Sequence, residues 1–216
     1  LYKYIQRNQK KIHNLTGKYI KIKYVSAKNF RKKRDIKINK KMWVKNPFKI
    51  IKKDVDIIIE LIGGSDGIAK KLVESSLINK KHVITANKSL IAKHGDFLSK
   101  IAEKNRVNLE FEASVAGGVP IIRSIKDGLI ANKIDSIIGI LNGTSNFILT
   151  KMDTERKDFK TCLKEAQKRG FAEPNPKNDL NGDDVKSKIK ILSALAFNAK
   201  ISKQNILCEG IENIDL

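Results

Sequence analysis

The sequence predicts an α/β protein, a doubly wound parallel sheet followed by a second, α+β domain, and three observations carry that prediction. The first is an apolar run, Asp54 to Ile62 (DVDIIIELI), with charges at its start and Gly63 and Gly64 after it. Such a run is the pattern of a strand buried on both faces of a parallel sheet. The second is the alternation that follows: a helix from about Asp66 to Asn79, a strand from Lys81 to Thr85, a helix from about Ser89 to Lys104, and a strand from Val107 to Phe111. The third is a change of character at Glu112, where EASVAGGVP brings small residues and paired glycines. Residues 1–112 are therefore read as one domain and 113–216 as another.

Taken in order, residues 1–13 have the look of a helix, and Lys18 to Ser26 (KYIKIKYVS) alternates apolar and polar as a half-buried strand does. A basic cluster follows at Lys28, Arg31, Lys32, Lys33 and Arg34. It is a solvated loop by default. If the preceding strand is the second of a Rossmann-type dinucleotide sheet, however, its end lies at the adenosine ribose, where an acid suits NAD and a base suits the extra phosphate of NADP. No acid occurs between Tyr24 and Arg34, which leans towards NADP. Crossovers between the later strands are expected to be right-handed. Ligands of such sheets lie beyond the carboxyl ends of the strands, the place of Gly63, Gly64 and the segment TANK, Thr85 to Lys88. The glycine-rich phosphate turn that opens such domains is not in this sequence, and the chain reads as a fragment at both ends.

In the second half, Val119 to Leu129 reads as a helix and Ile134 to Leu141 as a strand. NGTSNFIL follows, where Asn142 or Thr144 can cap the next helix. A helix from about Phe159 to Arg169 leads into GFAEPNPKNDLNGDDVKSK, Gly170 to Lys188, and Asp183 to Phe197 is amphipathic at helical spacing. Leu207 to Ile214 is too short to place. Asp184 and Lys188 stand four apart, so on a helix they share a face and can meet one small ligand.

Composition narrows the class of protein. There are 44 Lys and Arg against 23 Asp and Glu, a formal charge of +21 that raises nucleic-acid binding as an alternative function. The lysines are spread through every segment without interleaved aromatic residues, which reads as compositional bias. Cys162 and Cys208 offer neither a metal spacing nor a disulfide framework, and His13, His82 and His94 form no ligand cluster. No apolar run approaches the roughly 20 residues of a membrane helix, and no signal peptide opens the chain. A cytoplasmic protein is expected.

The motifs, in order, resemble the homoserine dehydrogenase family: DVDIIIELIGG, KHVITANKSLIAKHG, LEFEASVAGGVPII, GILNGTSNFILTKM, AQKRGFAEPNP and DLNGDDVKSKIKILSALAF, from Asp54 to Phe197. The resemblance implies a partial Rossmann-type domain followed by a catalytic and dimerisation domain. It also implies the reaction, interconversion of L-aspartate 4-semialdehyde and L-homoserine with NADPH or NADH, on the way to threonine and methionine. A different Rossmann reductase would share the first half alone.

Carried over by position, Lys188 resembles the family's general acid/base lysine and Lys88 a second essential lysine at the junction of cofactor and substrate. Glu173 and Asp184 resemble the residues that hold the amino-acid substrate, with Asp179 a supporting acid. Gly170 resembles a cofactor-contacting glycine, as Lys88 does a lysine at that junction; Gly63, Gly64 and Lys28 are cofactor contacts expected from their place at the strand ends. Glu112, Val115, Gly117 and Val119 resemble a structural sodium site built largely from backbone carbonyls, oxygen ligation that suits a hard cation. A homodimer is implied, and a specific nucleic-acid partner is not. The sequence departs from the family pattern at Asn175, where an acid is usual, and at Asp183, an extra acid.

Overall fold

The computed structural model describes residues 1–29, 31–199, 201 and 206–215; Phe30, inside the basic segment, lies outside them. The expected first helix is two, α1 (Tyr2–Arg7) and α2 (Gln9–Thr16), divided at Asn8. The Asn8 side chain donates to the Tyr4 carbonyl at 2.8 Å, satisfying an acceptor at the end of α1. Gly17, at φ +69°, closes α2 in the left-handed conformation that glycine adopts without strain.

The strand expected over Lys18 to Ser26 does not form. Its one ladder contact is a parallel bridge from Val25 to Trp43, with the Val44 amide donating to the Val25 carbonyl at 2.9 Å. A strand needs a neighbour's row of amides and carbonyls, and among the described residues nothing else offers one to this stretch. A short helix, α3 (Phe48–Ile51), follows.

The sheet has three parallel strands in sequence order, β1 (Ile57–Glu60), β2 (His82–Thr85) and β3 (Leu109–Glu110). The helix α4 (Ile68–Ile78) connects β1 to β2, and α5 (Lys88–Asn105) connects β2 to β3. Ile58, Val83 and Leu109 are in register across the strands and pack with Val73 and Leu77 of α4 and with Leu90, Leu98 and Ala102 of α5. The apolar run in β1 is buried on one face rather than both. Ile57, Ile59 and Ile84 point the other way and are 48%, 39% and 38% exposed, because no described element covers that face.

Beyond Glu112 every regular element among the described residues is helical. A 3-10 turn, Glu112–Ser114, leads to α6 (Ile121–Arg123), which widens into a π-turn over Ser124–Gly128. The expected strand Ile134 to Leu141 forms no regular element and pairs with nothing described. Ile134, Ile137 and Leu141 pack on the core while Ile138 and Ile140 are 95% and 76% exposed, so its inward residues do not follow the two-residue period of a strand. Then come α7 (Gly143–Glu155), α8 (Phe159–Lys168), α9 (Lys177–Leu180) and α10 (Asp183–Ala196). Helices α7 and α8 share a small core of Ile148, Met152, Cys162 and Ala166. Ile191 and Leu192 of α10 join the main core with α5. Burying two such side chains contributes roughly 3 to 6 kcal/mol in transfer free energy, and it sets the first turns of α10 against the start of α5.

Candidate active site

Two helix starts meet at one carboxylate. Helix α10 begins after Gly182, whose φ of +83° turns the chain sharply, and Asp183 and Asp184 fall in its first turn, where the helix dipole favours negative charge. One turn on, Lys188 brings its Nζ to 2.6 Å from Asp184 Oδ2. Lys88 is the first residue of α5, capped by Asn87, whose Oδ1 accepts from the Leu90 amide at 3.1 Å. Its ammonium pairs with Asp184 Oδ1. Lys88 and Lys188, far apart in the chain, thus share one buried acid.

The remaining bonds in the cluster come from the NGT turn. Asn142 Nδ2 donates to Asp179 Oδ1 at 2.8 Å and to Asp184 Oδ2 at 3.0 Å, while its Oδ1 caps α7 by accepting from the Ser145 amide at 2.8 Å. Lys188 Nζ also donates to the Leu141 carbonyl at 2.6 Å. The sequence offers Asn142 or Thr144 as the cap and the structure uses Asn142; its second role, bridging two acids, is set by tertiary placement. The Leu141 carbonyl has no sequence signature at all.

Both lysines are held below their ordinary pKa of 10.5. For Lys88 burial is the main cause and the Lys188 charge adds to it, with Asp179 opposing; for Lys188 burial is again the main cause and Asp179 opposes. Burial disfavours the charged form of each ammonium, and at Lys88 the neighbouring Lys188 charge works in the same direction. A lysine with a lowered pKa is able to exchange a proton nearer neutrality.

The other expected residues lie further out. Gly63 and Gly64, at φ +86° and +82°, form the loop after β1, with open space where a side chain would stand. The Gly64 carbonyl accepts from Asn87 Nδ2 at 2.7 Å, so this loop adjoins Lys88. Gly170, at φ +77°, ends α8. Glu173 is exposed, and among the described residues no hydrogen bond or ion pair ties its carboxylate to the cluster. Lys28 is exposed in its loop and likewise unconnected to the cluster by any such bond. Glu112 turns its carboxylate onto α6, accepting from the Ile122 amide at 3.0 Å and the Arg123 amide at 2.9 Å. The Val119 carbonyl accepts from Ile121, whereas those of Val115 and Gly117 take none of this loop's backbone hydrogen bonds. Ser114 Oγ, in the same turn, is buried without a hydrogen-bond partner. No group of three or more His, Cys, Asp or Glu suited to a metal occurs among the described residues, and none of their helices is long and apolar enough to cross a membrane.

The chain matches two family models, "Homoserine dehydrogenase, NAD binding domain" over residues 1–112 and "Homoserine dehydrogenase" over residues 120–216. The chain belongs to the homoserine dehydrogenase family. The homoserine dehydrogenase of Neisseria gonorrhoeae is 43% identical over 98% of this chain and 48% of its own length, and that of Bacillus subtilis 41% identical over 98% and 49%. The crystal structure of a homoserine dehydrogenase from Thiobacillus denitrificans superposes with a TM-score of 0.88 at 38% identity, over 99% of this chain and 49% of that one. The chain therefore spans about half the length of its homoserine dehydrogenase relatives. Lys88 falls within the first matched region and Asp184 and Lys188 within the second, so the cluster joins the two. Nothing in these matches favours nucleic-acid binding.

Proposed function

We propose that this chain carries the proton-transfer and substrate-holding residues of an enzyme that interconverts L-aspartate 4-semialdehyde and L-homoserine, in the route to threonine and methionine. The observation that carries the reading is the convergence of Lys88 and Lys188 on Asp184 in a member of this family. Asp184 holds the substrate's ammonium, with Asn142 fixing the carboxylate and Asp179 adding negative charge beside it. Glu173 contributes from the loop before α9. A nicotinamide dinucleotide, when bound, supplies the hydride to the carbonyl carbon or takes it back. Lys188 gives its proton to the carbonyl oxygen in reduction and, as the free amine, takes the hydroxyl proton in oxidation. Lys88 keeps positive charge at the junction of cofactor and substrate.

The loop of Gly63 and Gly64 fits a dinucleotide: its backbone is bare, it lies at the carboxyl end of a parallel strand, and it adjoins Lys88. Gly170 and the basic loop at Lys28 complete the cofactor contacts; the lack of an acid between Tyr24 and Arg34 favours NADP over NAD, although the strand that would bring this loop to the ribose is reduced to the Val25–Trp43 bridge. The region from Glu112 to Val119 fits a structural sodium ion through its carbonyls, and the buried, unpartnered Ser114 hydroxyl marks the turn as polar. The chain divides after residue 112 into a cofactor domain and a catalytic domain. It works in the cytoplasm as a homodimer.

The test is Lys188→Ala in the whole protein that carries this chain. General acid–base groups contribute about 10²- to 10⁴-fold, so kcat falls by about that factor while the unfolding temperature stays near the native value. Native turnover in the variant removes Lys188 from the mechanism.

A further inference from the structure

We propose that Glu60 is a positioning residue that fixes the two loops of the cofactor end, the Gly63–Gly64 loop and the Lys88 helix start, as one rigid unit through Thr85 and Asn87. Strands β1 and β2 end in register, Glu60 beside Thr85, and both side chains are fully buried. Two residues upstream the same face of the same strands carries Ile58 beside Val83. An apolar pair would therefore satisfy packing at this point as well. A buried carboxylate is costly unless every oxygen is bonded, so what it adds must be direction.

The bonds form a closed circuit. Glu60 Oε1 accepts from the amides of Ile62 and Gly63 at 2.5 and 3.2 Å, and Oε2 accepts from Thr85 Oγ1 at 2.6 Å. The Thr85 hydroxyl accepts in turn from the Asn87 amide at 2.9 Å. Asn87 returns to the first loop by donating to the Gly64 carbonyl at 2.7 Å, and it caps α5 at the residue after which Lys88 follows. Glycines at positive φ leave the first loop with little intrinsic preference for one shape. Glu60 and Asn87 hold it from both sides. Moving one loop without the other breaks at least one hydrogen bond of this circuit, so the place of the Lys88 ammonium is tied to the place of the Gly63 and Gly64 backbone. This role rests on the function proposed above, in which that loop and Lys88 meet the nicotinamide dinucleotide and the substrate.

Three variants of the whole protein test it. Thr85→Val removes the hydroxyl with little change of shape. Asn87→Asp keeps the acceptor that caps α5 but loses the donor to Gly64. Glu60→Gln keeps an oxygen for the two loop amides. The readouts are NADPH affinity from quenching of its fluorescence, kcat and KM for homoserine, and unfolding temperature. Thr85→Val and Asn87→Asp each weaken NADPH binding and lower kcat by about tenfold, with KM for homoserine within about twofold; the double variant is no worse than the poorer single, because members of one hydrogen-bond network are coupled. Glu60→Gln keeps NADPH affinity within about threefold of native, since the loop amides retain their acceptor. Variants that lose only unfolding temperature, with NADPH affinity and kcat unchanged, overturn the proposal, as do additive losses in the double variant. Should Thr85→Val fail to fold, Asn87→Asp alone decides between these outcomes. A native protein that binds neither NADPH nor NADH overturns the proposed function and this role with it; native binding with unaffected variants overturns this role alone.

Discussion

Replacing Asp184 by Asn leaves two half-buried ammonium groups facing each other with no carboxylate between them. At an effective dielectric of about 20, a contact such as the 2.6 Å Lys188–Asp184 pair has a gross attraction of about 6 kcal/mol, most of it offset by desolvation. Removing one member of a buried pair typically costs about 3 to 5 kcal/mol. Here the Lys88 and Lys188 side chains remain 28% and 18% exposed, so water takes up part of the released charge. The expected loss is about 2 to 3 kcal/mol, or about 4 to 12 °C in unfolding temperature for a chain of this size. Thermal unfolding at pH 7 measures it. Adding Lys88→Met to Asp184→Asn removes the surplus charge and recovers at least about half of the loss, as coupled neighbours do. An Asp184→Asn protein that unfolds within about 1 °C of the native one refutes the premise that this carboxylate holds the two lysines together.

Three further outcomes follow from the same cluster and its surroundings. Burial holds Lys188 below 10.5, so reduction of the semialdehyde, which needs the ammonium, declines as pH rises through that lowered value, while oxidation of homoserine, which needs the free amine, rises through it; opposite limbs in the two pH–kcat profiles check this, and parallel limbs contradict it. Asn142→Ser retains a capping oxygen for α7 but not the two amide donations to Asp179 and Asp184, so unfolding temperature changes by less than about 2 °C while KM for homoserine rises about tenfold. If a sodium ion sits against the Val115 and Gly117 carbonyls, sodium chloride raises the unfolding temperature above that in choline chloride at equal ionic strength, and identical temperatures exclude a stabilising cation.

How far the sequence carries depends on whether a feature is local. The helices α4, α5, α8 and α10 are legible because each repeats apolar residues at helical spacing over ten or more positions. The stretch from Lys18 to Ser26 and that from Ile134 to Leu141 show why strands are harder: alternation states a preference, but pairing requires a neighbour that the stretch does not itself contain. In the site, the Asp184–Lys188 pair follows from four-residue spacing. That Lys88 meets them follows from the packing of α10 on α5, which spacing does not reveal; family resemblance pointed to Lys88, and the geometry supplies its partner. Asn142 is the instructive case, since one amide caps a helix with its oxygen and ties two acids with its nitrogen, and only the first role has a local signature.

The open isoleucine face of the sheet gives the lysine surplus a meaning apart from any ligand. Ile57, Ile59 and Ile84 form a sticky strip on a particle whose formal charge is +21. Copies of such a particle repel one another across about 30 Å in 10 mM salt but only about 8 Å at physiological ionic strength. Apolar attraction does not weaken with that screening, and sulfate or phosphate strengthens it. For this chain taken by itself, the cationic coat thus opposes face-to-face stacking of the strip most strongly in dilute buffer and least as salt accumulates.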